Sequence, residues 1–135
     1  MANKMLGIFI LIATIVAQAN AAQKHEIYWK YGKKYDHVPL QSFNTFEIGD
    51  TLVFIYPRGT HDVIEVDEKS FEDCVVPPSA KPLTSGKDVI KIDAPGKRWF
   101  ICGFKNGKHC KDGGMKLMIN IQKPVAPQGG RKLPN

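Results

Sequence analysis

Cysteine is scarce in this chain: three occur among 135 residues, too few for the disulfide framework of a miniprotein. Several motifs of common enzymes are also missing from the sequence. It has no phosphate-binding loop of the G-x4-G-K-S/T type, no G-x-G-x-x-G, no H-E-x-x-H and no G-x-S-x-G. These absences argue against P-loop and dinucleotide-binding enzymes, zinc proteases of the H-E-x-x-H type and hydrolases with a G-x-S-x-G elbow.

Charge is moderate rather than extreme. The chain has 19 Lys and Arg against 13 Asp and Glu, a net charge of +6, and charged residues make up 24% of it. No long basic run is interleaved with aromatic residues, so we expect no nucleic-acid partner. The basic excess instead favours acidic partners or an anionic matrix. An apolar content of 43% is ordinary for a globular protein, and the length suits one domain.

Only one long apolar run is present, and it lies near the start of the sequence. Residues 6–17 are apolar, follow a lysine, and precede the small-x-small motif Ala19-Asn20-Ala21. This order predicts a secretory signal peptide over residues 1–21. Because a span needs roughly 20 apolar residues, we expect no membrane anchor. The folded domain is then expected over residues 22–123, and a flexible tail over 124–135.

Short apolar or alternating segments, most of them separated by glycine, proline or aspartate turns, predict β-strands. They are residues 26–31, 51–56, 62–67, 88–93, 98–103 and 115–122, with 45–48 as a candidate seventh. About seven strands in a chain of this size predict an all-β sandwich or barrel. The exception is residues 70–86, where Ser70 as N-cap predicts a short helix that precedes an irregular, proline-rich loop.

Four side chains of the metal-binding type lie in two turn segments. His61 enters a predicted strand, and Cys102, His109 and Met115 lie within fourteen residues between two further strands. Two imidazoles, a thiolate and a weakly bound thioether are the ligand set of a blue-copper electron-transfer site. Soft sulfur ligands favour Cu(I), whereas imidazoles also accept Cu(II). Met118 is the alternative to Met115, which is favoured because it directly follows the glycine turn.

The cysteines allow three pairings on the sequence alone, and an odd number leaves one thiol over if a disulfide forms. Cys74 and Cys110 lie in polar loop segments, whereas Cys102 ends an apolar run. A bridge between the first two would leave Cys102 free for a metal and would fix the residue next to His109. Taken singly, Cys102 is also typical of a buried structural thiol, and His61 of a polar surface residue.

The order of these features resembles the phytocyanins, a plant family of exported blue-copper proteins. The resemblance rests on FEIGDTLVFIY, HDVIEV, SGKDVIKIDAPGKRWFICG, KHC and GGMKLMINI, and covers residues 24–123. It implies an all-β, cupredoxin-like Greek-key sandwich with one type 1 copper ion. The implied ligands are His61, Cys102, His109 and Met115, and the implied disulfide joins Cys74 and Cys110. The axial methionine and the basic chain are similar to the plantacyanin, or basic blue protein, branch.

One segment departs from the family pattern. The usual spacing is C-x4-H followed by H-x4-M, whereas this chain has C-x6-H and H-x5-M. The segment 105–108 therefore carries about two additional residues, and 112–114 carries one more. A bulge could absorb them, so the position of His109 relative to Cys102 is the feature to check in the structure.

The resemblance implies a secreted one-electron carrier of the plant apoplast or cell wall that cycles between Cu(I) and Cu(II) and is not an enzyme. We expect a monomer whose unidentified redox partner is an acidic protein or a small-molecule reductant, steered by Lys105, Lys108 and Lys111. An anionic cell-wall matrix is a further candidate partner. The alternative is a copper-free extracellular interaction module on the same fold, favoured by the altered ligand loop. A metal-dependent enzyme ranks last, because the sequence offers no second ligand cluster.

Overall fold

Six strands in the described residues, 21–35 and 46–123 of a computed structural model, form two three-stranded sheets. They are β1 Lys24–Tyr28, β2 Thr51–Ile55, β3 Ile64–Val66, β4 Lys87–Lys91, β5 Gly96–Ile101 and β6 Lys116–Ile121. The sheets have the orders β1-β2-β4 and β3-β5-β6, and the predicted all-β sandwich is confirmed. The predicted signal peptide, apart from Ala21, and the predicted tail lie outside the described residues and stay predictions.

Strand pairing follows the hydrophobic alternation of the sequence. β1 runs parallel to β2, and β4 runs antiparallel to it on the other side. In the second sheet, β5 lies between β3 and β6 and is antiparallel to both. Along β6, Leu117, Ile119 and Ile121 are buried while Met118 is 41% exposed, as a period of two residues requires.

Large aromatic side chains fill the space between the sheets. Phe54 of β2 and Phe100 of β5 are fully buried, and their ring centroids are 5.4 Å apart. Trp29 packs edge-on against Phe54 and donates its indole N–H to the Asp62 carbonyl at 2.9 Å. Cys102 and Met115 belong to the same buried cluster. The core therefore extends without a break to the predicted metal ligands.

Two short helices complete the described residues, α1 Glu68–Asp73 and α2 Lys108–Lys111. The prediction of a helix near residue 70 is confirmed, but its N-cap is Asp67, not Ser70. The Asp67 carboxylate accepts the Ser70 backbone N–H at 2.7 Å, which places Ser70 inside the first turn. Residues 74–86 are irregular, as expected. None of the helices in the described ranges is long and apolar enough to cross a membrane.

The candidate seventh strand is wrong for the part of it that the structure describes. Residues 46–48 form no strand, and a turn follows in which the Asp50 N–H donates to the Glu47 carbonyl at 3.1 Å. The buried Asp50 carboxylate accepts the backbone N–H groups of Gln23 and Glu47 and lies 2.9 Å from the His25 ring. Hydrogen bonds to the Asp50 carboxylate therefore take the place of the backbone hydrogen bonds that a strand would make with a neighbouring strand. Thr45 is not among the described residues.

Replacing this carboxylate gives a pH-dependent test of the turn. Burial alone raises the pKa of Asp50, but the hydrogen bonds from Gln23, His25 and Glu47 outweigh it and hold the pKa below its ordinary value. A lowered pKa contributes stability above the unfolded-state pKa, and this is lost as pH falls through the folded-state pKa. We expect Asp50→Asn to lower the free energy of unfolding by about 1–3 kcal/mol at pH 7.

Urea titrations at pH 7 and pH 3 measure this difference, which should shrink below about pH 4. Asp73→Asn is the control, because Asp73 pairs with Lys69 on the exposed surface of α1 and should change stability by less than about 1 kcal/mol. A loss at Asp50 of equal size at both pH values would show that the negative charge has no part in it.

Candidate metal centre

Three of the four predicted ligands lie close together: Cys102 directly after β5, His61 in the turn before β3, and His109 in α2. The Nδ1 atoms of His61 and His109 are 3.1 Å apart, and the Cys102 sulfur lies 3.9 Å from the first and 3.7 Å from the second. The group spans at most 4.8 Å. Metal bonds to imidazole nitrogen and thiolate sulfur are about 2.0–2.3 Å long, so one ion can reach all three atoms. The donor set and its spacing therefore fit copper.

Met115, the fourth predicted ligand, is tied to two of the others through its backbone. Its carbonyl accepts the Cys102 N–H at 3.0 Å, and its own N–H donates to the His109 carbonyl at 3.1 Å. Its side chain is fully buried in the cluster that contains Cys102. Met118 points to the outer face of β6 and is 41% exposed, so the structure gives no support to this alternative.

The lengthened ligand loop is absorbed by a run of left-handed backbone. Lys105, Asn106 and Gly107 have φ angles of 56°, 53° and 82°, and α2 starts directly after them. The Gly107 N–H donates to the Gly103 carbonyl at 3.1 Å, which closes the bulge. The bulge returns His109 to within 3.7 Å of the Cys102 sulfur despite the additional residues. Sequence reasoning did not predict α2, which has four residues and no side-chain cap.

A disulfide fixes the far side of this loop. Cys74 and Cys110 are bridged, with Cα atoms 5.6 Å apart, and Cys102 is free and buried. The pairing favoured in the sequence is thereby confirmed. Because Cys110 follows His109 directly, the bridge ties the ligand loop to the end of α1. Gly107 packs against the backbone of Cys74, since a Cβ on Gly107 would lie 2.2 Å from the Cys74 carbonyl oxygen.

Burial sets the protonation of the ligand side chains. Desolvation raises the pKa of the Cys102 thiol to about 11. Desolvation, and then the neighbouring His109, lower the pKa of His61, which favours the neutral imidazole that binds metals. A bound cation supplies the charge that deprotonates such a thiol. The site is thus suited to a metal ion and poorly suited to a free thiolate.

Asp62 is a site residue that sequence reasoning missed. Asp62 is 7% exposed, and its carboxylate accepts the Gly103 N–H at 2.6 Å. The bond joins the residue after His61 to the residue after Cys102. Burial raises the pKa of Asp62. Its position in HDVIEV carried no sign of this role, because the partner is 41 residues away.

Exposure differs sharply among the four side chains. Cys102 and Met115 are fully buried and His61 is 9% exposed, whereas His109 is intermediate. An open groove runs beside the His109 ring. Its lining residues are Tyr31, Lys105, Asn106, Lys108, His109 and Asp112. His109 is therefore the predicted ligand through which the site meets solvent.

Comparison with known proteins agrees with this geometry. A family model of the plastocyanin-like domain matches residues 29–115. The chain belongs to the plastocyanin-like family, in its phytocyanin branch. The blue copper protein of Petunia hybrida is 49% identical over 78 residues, which cover 58% of this chain and 29% of that protein. The basic blue protein of Cucumis sativus is 41% identical over 75 residues, covering 56% and 74%.

Solved structures of phytocyanins have the same fold. Spinach plantacyanin is 34% identical, with a TM-score of 0.59, over 73% of this chain and 99% of that one. The chain spans 29% and 56% of the lengths of the first curated relatives it matches, from Petunia hybrida and Medicago truncatula. These relatives are named blue copper proteins, and the His61–Cys102–His109 group of this chain is able to bind copper, the predicted cofactor.

The contact between Gly107 and Cys74 yields a stability test. We expect Gly107→Ala to lower the free energy of unfolding by about 2–5 kcal/mol, since a left-handed backbone and a steric clash are both penalised. Gly59→Ala is the matched control, because Gly59 has φ +86° and a Cβ added there would meet no atom within 4 Å. It should lose only about 1–2 kcal/mol. Urea unfolding without reductant measures both, and equal losses would argue against the packing role of Gly107.

Proposed function

We propose that this protein is a secreted type 1 copper protein that carries single electrons by cycling between Cu(I) and Cu(II). The observation that supports this most directly is the triangle of donor atoms formed by His61, Cys102 and His109. We assign these three residues as copper ligands and Met115 as the weak axial ligand. Copper, when bound, supplies the one-electron chemistry, and the chain supplies the ligands, the rigidity and the route to solvent.

Electron transfer suits this site better than catalysis. In the described ranges, the triangle is the one group of His, Cys, Asp and Glu side chains with metal-ligand spacing. Two of the four proposed ligands are fully buried, and His61 is nearly so. The exposed part of the site is therefore the edge of His109, and a substrate has little access to the other donor atoms. We therefore propose a carrier rather than an enzyme.

Direct hydrogen bonds between the ligand segments support rapid exchange of electrons. The Cys102 N–H is bonded to Met115, Met115 to His109, and Gly103 to Asp62 next to His61. Each ligand segment is thus held by another ligand segment rather than by mobile surface groups. A frame of this kind resists the change of geometry that otherwise accompanies a change of copper oxidation state.

The copper-free interaction module loses its main support. That interpretation depended on the longer ligand loop, and the left-handed bulge returns His109 to the Cys102 sulfur at 3.7 Å. No other observation favours it.

Partner and location are part of the proposal. Residues 1–21 support export, and we propose the apoplast or cell wall as the destination of a monomer. Lys105 and Lys108 line the groove beside His109 and support an acidic protein or an anionic reductant as donor, with anionic wall polymers as a further partner. Reduction by an acidic donor protein should slow as salt rises, and a rate independent of salt would contradict this steering.

The assignment of Cys102 is tested by colour. The protein with its disulfide formed, given one equivalent of Cu(II), should develop an intense visible thiolate-to-copper band and a type 1 EPR signal. Cys102→Ser should abolish the band, because a hydroxyl is not a soft thiolate ligand. A colourless wild type, or one with only a weak nitrogen- and oxygen-type Cu(II) signal, would overturn the proposed function.

The assignment of Met115 is tested by the reduction potential. We expect Met115→Leu to stay blue and to raise the potential. The thioether is only weakly bound, so its soft preference for Cu(I) is small, and the loss of any donor costs the more highly charged Cu(II) more than Cu(I). A shift on the order of 60 mV corresponds to a tenfold change in the relative stability of the two oxidation states. Met118→Leu, on the outer face of β6, is the control and should leave the potential unchanged. Equal potentials in both variants would remove Met115 from the ligand set.

A further inference from the structure

The exposed ligand, His109, is flanked by two aromatic rings. The Tyr31 ring lies 5.3 Å from the imidazole at an interplanar angle of 72°, an edge-to-face arrangement. The Phe104 ring lies 5.7 Å from it at 32°. Phe104 belongs to the ligand loop itself, whereas Tyr31 comes from the turn after β1. Tyr31 therefore brings a contact to His109 from outside the loop.

The Tyr31 turn also contacts the segment between His109 and Met115. A Cβ on Gly113 would lie 2.4 Å and 2.5 Å from two Tyr31 ring carbons, so the ring packs on the bare face of that glycine. The Gly32 N–H donates to the Gly113 carbonyl at 2.8 Å. The Tyr31 ring and the Gly32 backbone therefore both contact Gly113, in the segment between His109 and Met115.

The turn is itself anchored in the core. The hydroxyl of Tyr35, which is 3% exposed, accepts the Lys30 N–H at 2.7 Å and donates to the Tyr28 carbonyl at 2.5 Å. The Tyr35 ring packs on Trp29 with centroids 4.7 Å apart. Tyr31 is therefore held on a rigid turn although its own side chain is 50% exposed.

We propose that Tyr31 is a positioning residue that fixes the orientation of the His109 imidazole; this rests on the proposed function of His109 as a copper ligand. A longer loop restrains its residues less, so the additional residues between Cys102 and His109 call for an outside restraint. The ring carries the effect, since it is the ring that meets the imidazole edge-to-face and packs on Gly113. Tyr31 acts on the copper site only through His109.

The experiment compares Tyr31→Leu, Tyr31→Phe and the control Tyr28→Leu in the full copper-loaded protein. Tyr28 is also an exposed tyrosine, at the end of β1, but its hydroxyl lies near Glu26 and not near the ligand loop. Tyr31→Leu should speed copper loss to a chelator about two- to tenfold, the range expected for one aromatic pair. It should also change the EPR hyperfine splitting and the potential. Tyr31→Phe and Tyr28→Leu should match the wild type.

A second measurement does not depend on copper. NMR relaxation of the His109 ring in the metal-free protein should show larger motion in Tyr31→Leu than in wild type or Tyr31→Phe. Tyr31→Met, which keeps apolar volume without a ring, replaces the leucine variant if that one does not fold. A colourless wild type would sink the proposed function, while unchanged His109 ring motion, or a phenylalanine variant that behaves like leucine, would overturn the role of Tyr31.

Discussion

The pairing of β5 with β6 is the constraint on which the rest of the site depends. The last ladder pair is Ile101 with Lys116, and the bond from the Cys102 N–H to the Met115 carbonyl is the next rung beyond it. The candidate metal centre is thus a continuation of the sheet past the ends of its strands. Because the strands before it are paired in a fixed register, that register sets the positions of these two sulfur side chains. A slip of one residue would turn Met115 to solvent and Met118 inward.

A buried free thiol with a raised pKa needs a physical explanation. The Cys102 sulfur is surrounded by the apolar core and faces two imidazoles, and its pKa of about 11 keeps it protonated without a cation. A copper ion held by Cys102, His61 and His109 would offset the desolvation of the thiolate. The disulfide removes the other two cysteines from competition for the metal. Burial thus explains the raised pKa of Cys102, and the disulfide explains why Cys102 is the free cysteine. Copper binding would explain why a free thiol is buried here.

Much of this arrangement could be predicted from the sequence because it is encoded locally. Strands follow from alternation, and the ligand set follows from the residue types near Cys102 and His109. What could not be predicted depends on contacts between distant segments. The turn at Asp50 replaces a strand because donors from the start of the chain converge on its carboxylate. Asp62 is buried because Gly103, far along the sequence, needs an acceptor, and Tyr31 meets His109 only once the sheets have formed.

The longer ligand loop shows how the same fold can place a ligand by different means. Additional residues between Cys102 and His109 would by themselves loosen the histidine, since a longer loop closes less tightly. The chain compensates with three consecutive left-handed residues, the last a glycine against the Cys74 carbonyl, and with a disulfide directly after His109. These restraints act on the backbone, and they leave the imidazole free to turn about its side-chain bonds. The aromatic contact from the anchored Tyr31 turn restrains the ring itself while leaving the groove beside His109 open to solvent.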